Sequence, residues 1–289
     1  MAGSLSGPAE TTRFAPSPTG QLHLGHAYAA LFAEAAAAPE RGGRLLVRIE
    51  DIDAGRCRPE FIAGILEDLR WLGLRFAEPV RRQAEHLDDY AAALARLEAA
   101  GLIYPCFCTR AEILAEVQRS GGAPQGPEGL RYPGTCQRLS AEERARRRES
   151  GQGYALRLDV GEALGRVTQP LRFHDEARGV IAADPRPFGD VVLARKDAPT
   201  SYHLAVTVDD ALQGVTLVTR GDDLLAATHV HRLLQALLGL PTPRYHHHQL
   251  QTDERGQRLA KRDRALTLRA LREAGVTPAE LRARLGFAS

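Results

Sequence analysis

The sequence predicts an α/β fold: a parallel sheet with an inserted subdomain and a short helical C-terminus. Three observations predict it. Apolar runs of strand length alternate with amphipathic helical stretches over residues 11–105, the pattern of a parallel sheet covered by helices. From residue 106 to 187 the alternation gives way to a segment rich in Cys, Gly and Pro, which marks an insertion. Alternation then resumes over 188–250, and 251–289 holds a basic loop followed by two short helices.

Thr11 to Ala15 reads as extended and runs into the turn Pro16-Ser17-Pro18-Thr19-Gly20. Leu22 to Ala38 is an Ala-rich helix broken by Pro39 and the Gly42-Gly43 pair. Arg44 to Glu50 is an apolar strand. Phe61, Ile62, Ile65, Leu66, Leu69 and Leu72 form a helical stripe with Pro59 at its start, and Trp71 is expected in the core. Leu87, Tyr90, Leu94 and Leu97 mark the next helix. Within the insertion, a Gly- and Pro-rich loop covers 121–134, and Ser140-Ala141-Glu142-Glu143 spells a capping box. YALRLDV (154–160) and PLRFHDE (170–176) are expected strands. Beyond it come a strand at Asp190–Ala194, a helix at Tyr202–Leu212, a strand at Gly214–Thr219 and a helix at Leu224–Leu238. His246-His247-His248 reads as a short strand in preference to a metal tract, and helices close the chain at 267–274 and 278–285. There is no internal repeat.

With 289 residues, 44% hydrophobic and 26% charged, the chain can bury a substantial core. It contains no run of ~20 apolar residues of the kind a spanning helix needs. The start, MAGSLSGPAE, has neither a basic region nor an apolar core, so a cytoplasmic protein without a membrane partner is expected. A net charge of +2 neither demands nor excludes a nucleic acid. Three of the four cysteines, Cys106, Cys108 and Cys136, share one segment, which favours a metal over disulfides. The C-x-C spacing is tighter than usual, so inert buried thiols stand as an equal reading. Arg144, Arg146, Arg147 and Arg148 suit either phosphate contacts or a solvated helix face.

Arg13 to His26, RFAPSPTGQLHLGH, carries the most chemistry. It sets a turn between a strand and a helix, with His23 and His26 one helical turn apart. Exposed N–H groups and a partial positive charge at a helix start bind phosphate, and Gly25 lets the backbone approach a flat base. Imidazoles there can stabilise charge growing on an attacked α-phosphate.

PSPTGQLHLGH resembles the HIGH-region signature of class I aminoacyl-tRNA synthetases, in its glutamyl form. RIEDID (48–53), YHLAVTVDDALQGVTLVTRGDDL (202–224) and RLAKR (258–262) resemble the blocks that follow it, the last at the place of the KMSKS loop. The resemblance implies a Rossmann-like catalytic domain split by an acceptor-binding-like subdomain. It implies ATP held by Pro16, Ser17, His23, Gly25, His26 and Lys261, of which His23, His26 and Lys261 act in catalysis; Mg²⁺ is expected with ATP on chemical grounds, without dedicated protein ligands. Lys261 would neutralise the departing pyrophosphate. Glutamate would be held by Arg13, Ala15, Ser17, Glu50, Tyr202 and Arg220, with Glu50 taking the ammonium and the two guanidinium groups the side-chain carboxylate. Asp51 and Asp53 are expected to cap or pack. Arg258, Ala260 and Arg262 depart from the KMSKS pattern, while positive charge is kept at 258 and 261.

The pattern C-x-C-x₂₃-Y-x₃-C resembles the zinc module of the glutamyl-queuosine tRNA(Asp) synthetase family. It implies one structural Zn²⁺ on Cys106, Cys108, Tyr132 and Cys136, Tyr132 being the unusual ligand. Fewer residues follow Arg262 than the ~50 a separate anticodon-reading domain requires, so the expectation falls on this shorter family. It forms glutamyl adenylate without tRNA and transfers glutamate to queuosine at the wobble position of tRNA(Asp). A monomer is expected. The alternatives are a trimmed glutamyl-tRNA synthetase, a small-molecule nucleotidyltransferase and a non-catalytic zinc-bearing RNA-binding protein.

Overall fold

The described chain opens with β1 (Thr11–Phe14), and strand and helix then alternate: α1 (Leu24–Ala37), β2 (Arg44–Ile49), α2 (Pro59–Trp71), β3 (Phe76–Arg82) and α3 (Leu87–Ala99). The computed structural model describes residues 9–119, 125–127, 129–250 and 267–287. β1, β2 and β3 are parallel neighbours in that order. All of β2 except Arg44 is buried, as befits a strand covered on both faces. α1 starts two residues later than the periodicity predicts, because the Leu22 carbonyl is taken by the Leu268 N–H at 2.9 Å. β3 is not legible in the sequence, since Pro79 breaks its pattern; its place at a sheet edge tolerates the missing donor.

The insertion contributes β4 (Ile103–Cys106), α4 (Arg110–Arg119), the small hairpin β5 (Gln125–Gly126) and β6 (Gly129–Leu130), α5 (Ala141–Glu149), β7 (Ala155–Leu158) and α6 (Val160–Gly165). β8 (Arg172–Asp175) and β9 (Gly179–Ala182) follow, then β10 (Val192–Ala194), α7 (Tyr202–Leu212), β11 (Leu217–Gly221), α8 (Leu225–Leu238), β12 (Arg244–His248), α9 (Leu268–Glu273) and α10 (Pro278–Arg284). At α5 the predicted box forms only in half. The Ser140 hydroxyl accepts the Glu143 N–H at 3.1 Å, but Glu143 turns its carboxylate to Arg146 and Arg147. β11 starts three residues later than predicted because Gly214, at φ 64°, is spent on the turn that leaves α7.

Strand pairing crosses residue 187. β10 joins β7 and β4 in an antiparallel sheet, whereas β8 adds in parallel to β12 and β9 antiparallel to β8, giving a second sheet ordered β11-β12-β8-β9. This sheet meets the first at β1 and β11. There the Thr216 N–H donates to the Thr11 carbonyl at 2.9 Å, and α1 packs across both strands. A core of Phe14, Leu24, Leu31, Val47, Ile65 and Leu69 unites the first half and takes in Leu268 and Leu281 of the closing helices. Trp71 is half-buried at its margin. A second core joins α3, α6, α7, α8 and β10. From β1 the chain crosses to β2 on one side, and from β11 to β12 on the other, so a crevice opens where the carboxyl ends of these strands diverge.

Candidate active site

A cavity of about 480 Å³ opens beside these strand ends. Ser17, on the connection from β1 to α1, Glu50, just past β2, and Tyr202, the first residue of α7, line it, together with Tyr132 and Arg157 of the insertion. Pro16 is buried behind Ser17, and its carbonyl accepts the Glu50 N–H at 3.0 Å; Ala15 joins that turn to β1.

Behind Glu50 lies an ion network. Arg48 is 0% exposed and donates to Asp210 at 2.8 Å and Gln213 at 3.1 Å, with Glu50 at 3.5 Å and Asp209 at 3.6 Å. Arg13 also binds Asp210, at 3.1 Å through Nε, and spends Nη1 on the Thr219 carbonyl at 3.0 Å. Asp209 accepts from Arg81 and Gln83 at 2.8 Å and from the Tyr90 hydroxyl at 3.0 Å. Against the upward push of burial, Arg13 and Arg48 hold the Asp210 carboxyl below the usual range. Glu50 goes the other way: burial pushes its carboxyl up to about 7, although Arg48 and Arg13 pull it down. Asp51 packs, accepting the Ala84 N–H at 2.8 Å and Arg82 at 3.1 Å. Asp53 lines the cavity and pairs with Arg56 at 2.8 Å.

Arg220 is also buried, 6% exposed, at the end of β11. Its Nε donates to His247 Nε2 at 3.1 Å, its Nη1 to the Tyr202 hydroxyl at 3.3 Å and to His231 Nδ1 at 3.3 Å, and its Nη2 to the Thr228 hydroxyl at 2.5 Å. Every one of these partners is neutral. Burial and the neighbouring Arg220 depress His247 to about 4, and burial and Arg220 keep His231 well below its ordinary value.

His23 and His26 stand at the start of α1 with ring centroids 3.9 Å apart. His23 Nδ1 accepts the Gly25 N–H at 3.1 Å, and His26 Nδ1 accepts the His23 N–H at 3.2 Å. With each Nδ1 accepting, the ring proton of both imidazoles lies on Nε2. Thus Ser17, Glu50 and Tyr202 face the cavity, Arg13 and Arg220 sit behind it, and His23, Gly25 and His26 form the helix start. Lys261 and the rest of 258–262 lie outside the described residues.

Cys106 at the end of β4, Cys108 and Cys136 bring their sulfurs within 4.8 Å of one another. Cys108 Sγ lies 3.4 Å from Cys136 Sγ and 3.6 Å from the Tyr132 hydroxyl, which accepts the Cys136 N–H at 2.8 Å. Thiolates ~2.3 Å from a tetrahedral zinc are themselves ~3.7 Å apart, so the donor set fits such an ion. Burial pushes the Cys108 thiol up to about 12; Cys136, although burial raises it, is held below its ordinary value by hydrogen bonds from Tyr132 and the Phe107 N–H. The Arg157 guanidinium covers the other side of Tyr132, 4.0 Å from its ring centre. The guanidinium carbons of Arg144, Arg147 and Arg148 lie 5.4, 5.7 and 5.1 Å from the ring centres of Tyr104, Phe107 and Tyr154, so these heads stack on aromatic side chains of the insertion. His246, His247 and His248 form β12, as expected of a strand.

Sequence reasoning missed Arg48, Asp175, Asp209, Asp210, His231 and His247. One signal was present: two adjacent acids inside the apolar helix YHLAVTVDDAL, where burial demands cationic partners.

A strand-end crevice at a sheet reversal, a histidine-capped helix start and a cation pair behind a carboxylate define a class I tRNA synthetase catalytic domain. Residues 10–287 match the family of class I (E and Q) tRNA synthetase catalytic domains. A glutamyl-Q tRNA(Asp) synthetase of Rhodobacter capsulatus is 48% identical over 96% of this chain and 99% of its own length. One from Nocardia farcinica is 46% identical, over 94% of this chain and 82% of its own. The glutamate-tRNA synthetase structure from Elizabethkingia anophelis superposes with a TM-score of 0.74 at 29% identity, covering 88% of this chain, which spans 53% of that one. The chain belongs to the glutamyl-Q tRNA(Asp) synthetase family, and it is a ligase-type enzyme. No described helix is long and apolar enough to cross a membrane.

Proposed function

We propose that the enzyme activates glutamate as its adenylate without tRNA and transfers it to queuosine in the anticodon of tRNA(Asp). The observation that carries this is Arg220, a buried cation whose partners among the described residues are all neutral, beside a cavity lined by Glu50. An uncompensated buried guanidinium calls for an anion, and the side-chain carboxylate of glutamate supplies one. Nη2 of Arg13 and the Tyr202 hydroxyl join Arg220 around that carboxylate, with Ala15 and Ser17 closing the pocket. Glu50 receives the ammonium, whose charge restores the carboxylate that burial disfavours.

In the first step a carboxylate oxygen of glutamate attacks the α-phosphorus of ATP, forming the mixed anhydride as the bond to pyrophosphate breaks. Pro16, Ser17 and Gly25 shape the ATP site, the His23 and His26 imidazoles stabilise charge growing on the α-phosphate, and Lys261 neutralises the leaving pyrophosphate. Mg²⁺ enters with ATP. In the second step a hydroxyl of the modified base attacks the activated carbonyl and AMP leaves. Positioning and electrostatics suffice, without a covalent enzyme intermediate. One structural zinc on Cys106, Cys108, Tyr132 and Cys136 ties the insertion together; metal analysis should find one per chain, lost in Cys106→Ser. The enzyme works as a monomer in the cytoplasm.

Glutamate-dependent exchange of pyrophosphate into ATP without tRNA tests the first step, and preference for aspartate or glutamine overturns it. Alkaline lability with anticodon-loop mapping of labelled glutamate tests the second. Label at the 3′ terminal ribose instead selects the charging of a tRNA end, the reading favoured by the likeness to a solved glutamate-tRNA synthetase.

A further inference from the structure

A guanidinium can only donate hydrogen bonds, so the tautomer of each imidazole that touches Arg220 is determined. His247 Nε2 receives the Arg220 Nε–H at 3.1 Å, and the Thr228 hydroxyl approaches the same nitrogen at 3.1 Å. Its proton is therefore on Nδ1, which donates to Asp175 Oδ2 at 2.6 Å. Asp175 is in turn pinned by the N–H groups of Ala177 at 3.0 Å and His247 at 3.2 Å. His231 is set the opposite way. Nδ1 receives Arg220 Nη1–H at 3.3 Å, so Nε2 carries the proton and donates to His203 Nδ1 at 3.2 Å. His203 lines the cavity.

Four of the five guanidinium N–H groups are thus assigned: one each to His247, His231, Tyr202 and Thr228. The fifth, on Nη2, stays with the substrate. The Tyr202 oxygen, already accepting from Arg220, turns its own O–H toward the cavity. With Arg13 Nη2, three donors and no acceptor then meet the end of the amino-acid side chain. A carboxylate matches that pattern, whereas the NH₂ of an amide finds a donor where it needs an acceptor.

We infer that His231 and His247, each locked in one tautomer and in opposite senses, are positioning residues that aim Arg220 and set the preference for a carboxylate over an amide. The inference rests on Arg220 receiving the substrate side chain. The low pKa of His247 agrees with it, because a protonated ring could not accept.

Substitutions that keep or remove the accepting atom test it. In H247Q the amide oxygen can take the place of Nε2, whereas H247L offers nothing; H231Q and H231L repeat the contrast independently if one site fails to fold. The readout is pyrophosphate exchange, comparing KM for glutamate, KM for ATP and the ratio of kcat/KM for glutamate over glutamine. The leucine variants should raise KM for glutamate on the order of a hundredfold and narrow the glutamate preference similarly, with KM for ATP unchanged, and the glutamine variants should recover most of the loss. Folded leucine variants with wild-type preference, or a loss shared equally by glutamate and ATP, overturn the inference. Absence of glutamate-dependent exchange in the wild-type enzyme instead removes the reading beneath it.

Discussion

Arg48 and Arg220 are both buried guanidinium groups at strand ends, yet their surroundings are opposite. Arg48 lies among Asp209, Asp210 and Glu50, and Asp210 is shared with Arg13. Arg220 meets two imidazoles, a phenol and an alcohol, and Asp175 is linked to it through His247. A charge compensated inside the protein holds the fold. A charge left for something else to compensate marks where a ligand goes.

Breaking the compensated side should have the largest effect. Arg48→Met strands Asp210 and Glu50 in a buried place and should cost about 3–5 kcal/mol of folding stability, read as a fall in denaturation midpoint. Wild-type stability in that variant contradicts the scaffold role. Arg220→Met should do the reverse. It removes an uncompensated buried cation, so the midpoint holds or rises, while kcat/KM for glutamate in pyrophosphate exchange falls on the order of two to three powers of ten. Equal losses of stability in the two variants would erase the distinction.

Glu50 sharpens it through pH. Its carboxyl is raised from 4.5 to about 7, so the folded state holds a proton the unfolded state has lost. Its contribution to stability is full below 4.5 and is lost as pH rises through about 7. Binding runs the other way, since the ammonium needs the ionised form. KM for glutamate should fall up to about tenfold per unit as pH approaches 7 and then level off, a dependence absent in Glu50→Gln. The smallest effect belongs to Arg166, exposed on its pair with Glu162 at 3.1 Å. Arg166→Gln should stay within about 0.5 kcal/mol in the same denaturation experiment, the baseline for the other three.

The strands and helices built on strong periodicity, such as β2, α2, α7 and α8, were legible because their apolar residues repeat at the period of the element. Elements carrying a proline or few apolar side chains were not. β3 contains Pro79, β4 contains Pro105, and α4 is mostly polar, so their places come from neighbours already in position. The same divide runs through the site. Ser17, Glu50 and Tyr202 sit in contiguous motifs, and the structure lines one cavity with them. Asp175 and His247, 72 residues apart, form a pair that no local pattern announces. Arg48 was visible only as part of a block; its partners Asp209 and Asp210 became evident once β2 lay against α7.

The seam between the sheets that meet at β1 and β11 also governs when the enzyme can become active. Arg13 and Asp210, which lock it, are 197 residues apart, and Thr11 and Thr216, whose backbones zip it, are farther still at 205. Closing so long a loop precedes any reward from these contacts, which slows folding. A nascent chain that has not yet released β11 and β12 from the ribosome carries His23 and His26 at its front, and still has nowhere to put an amino acid.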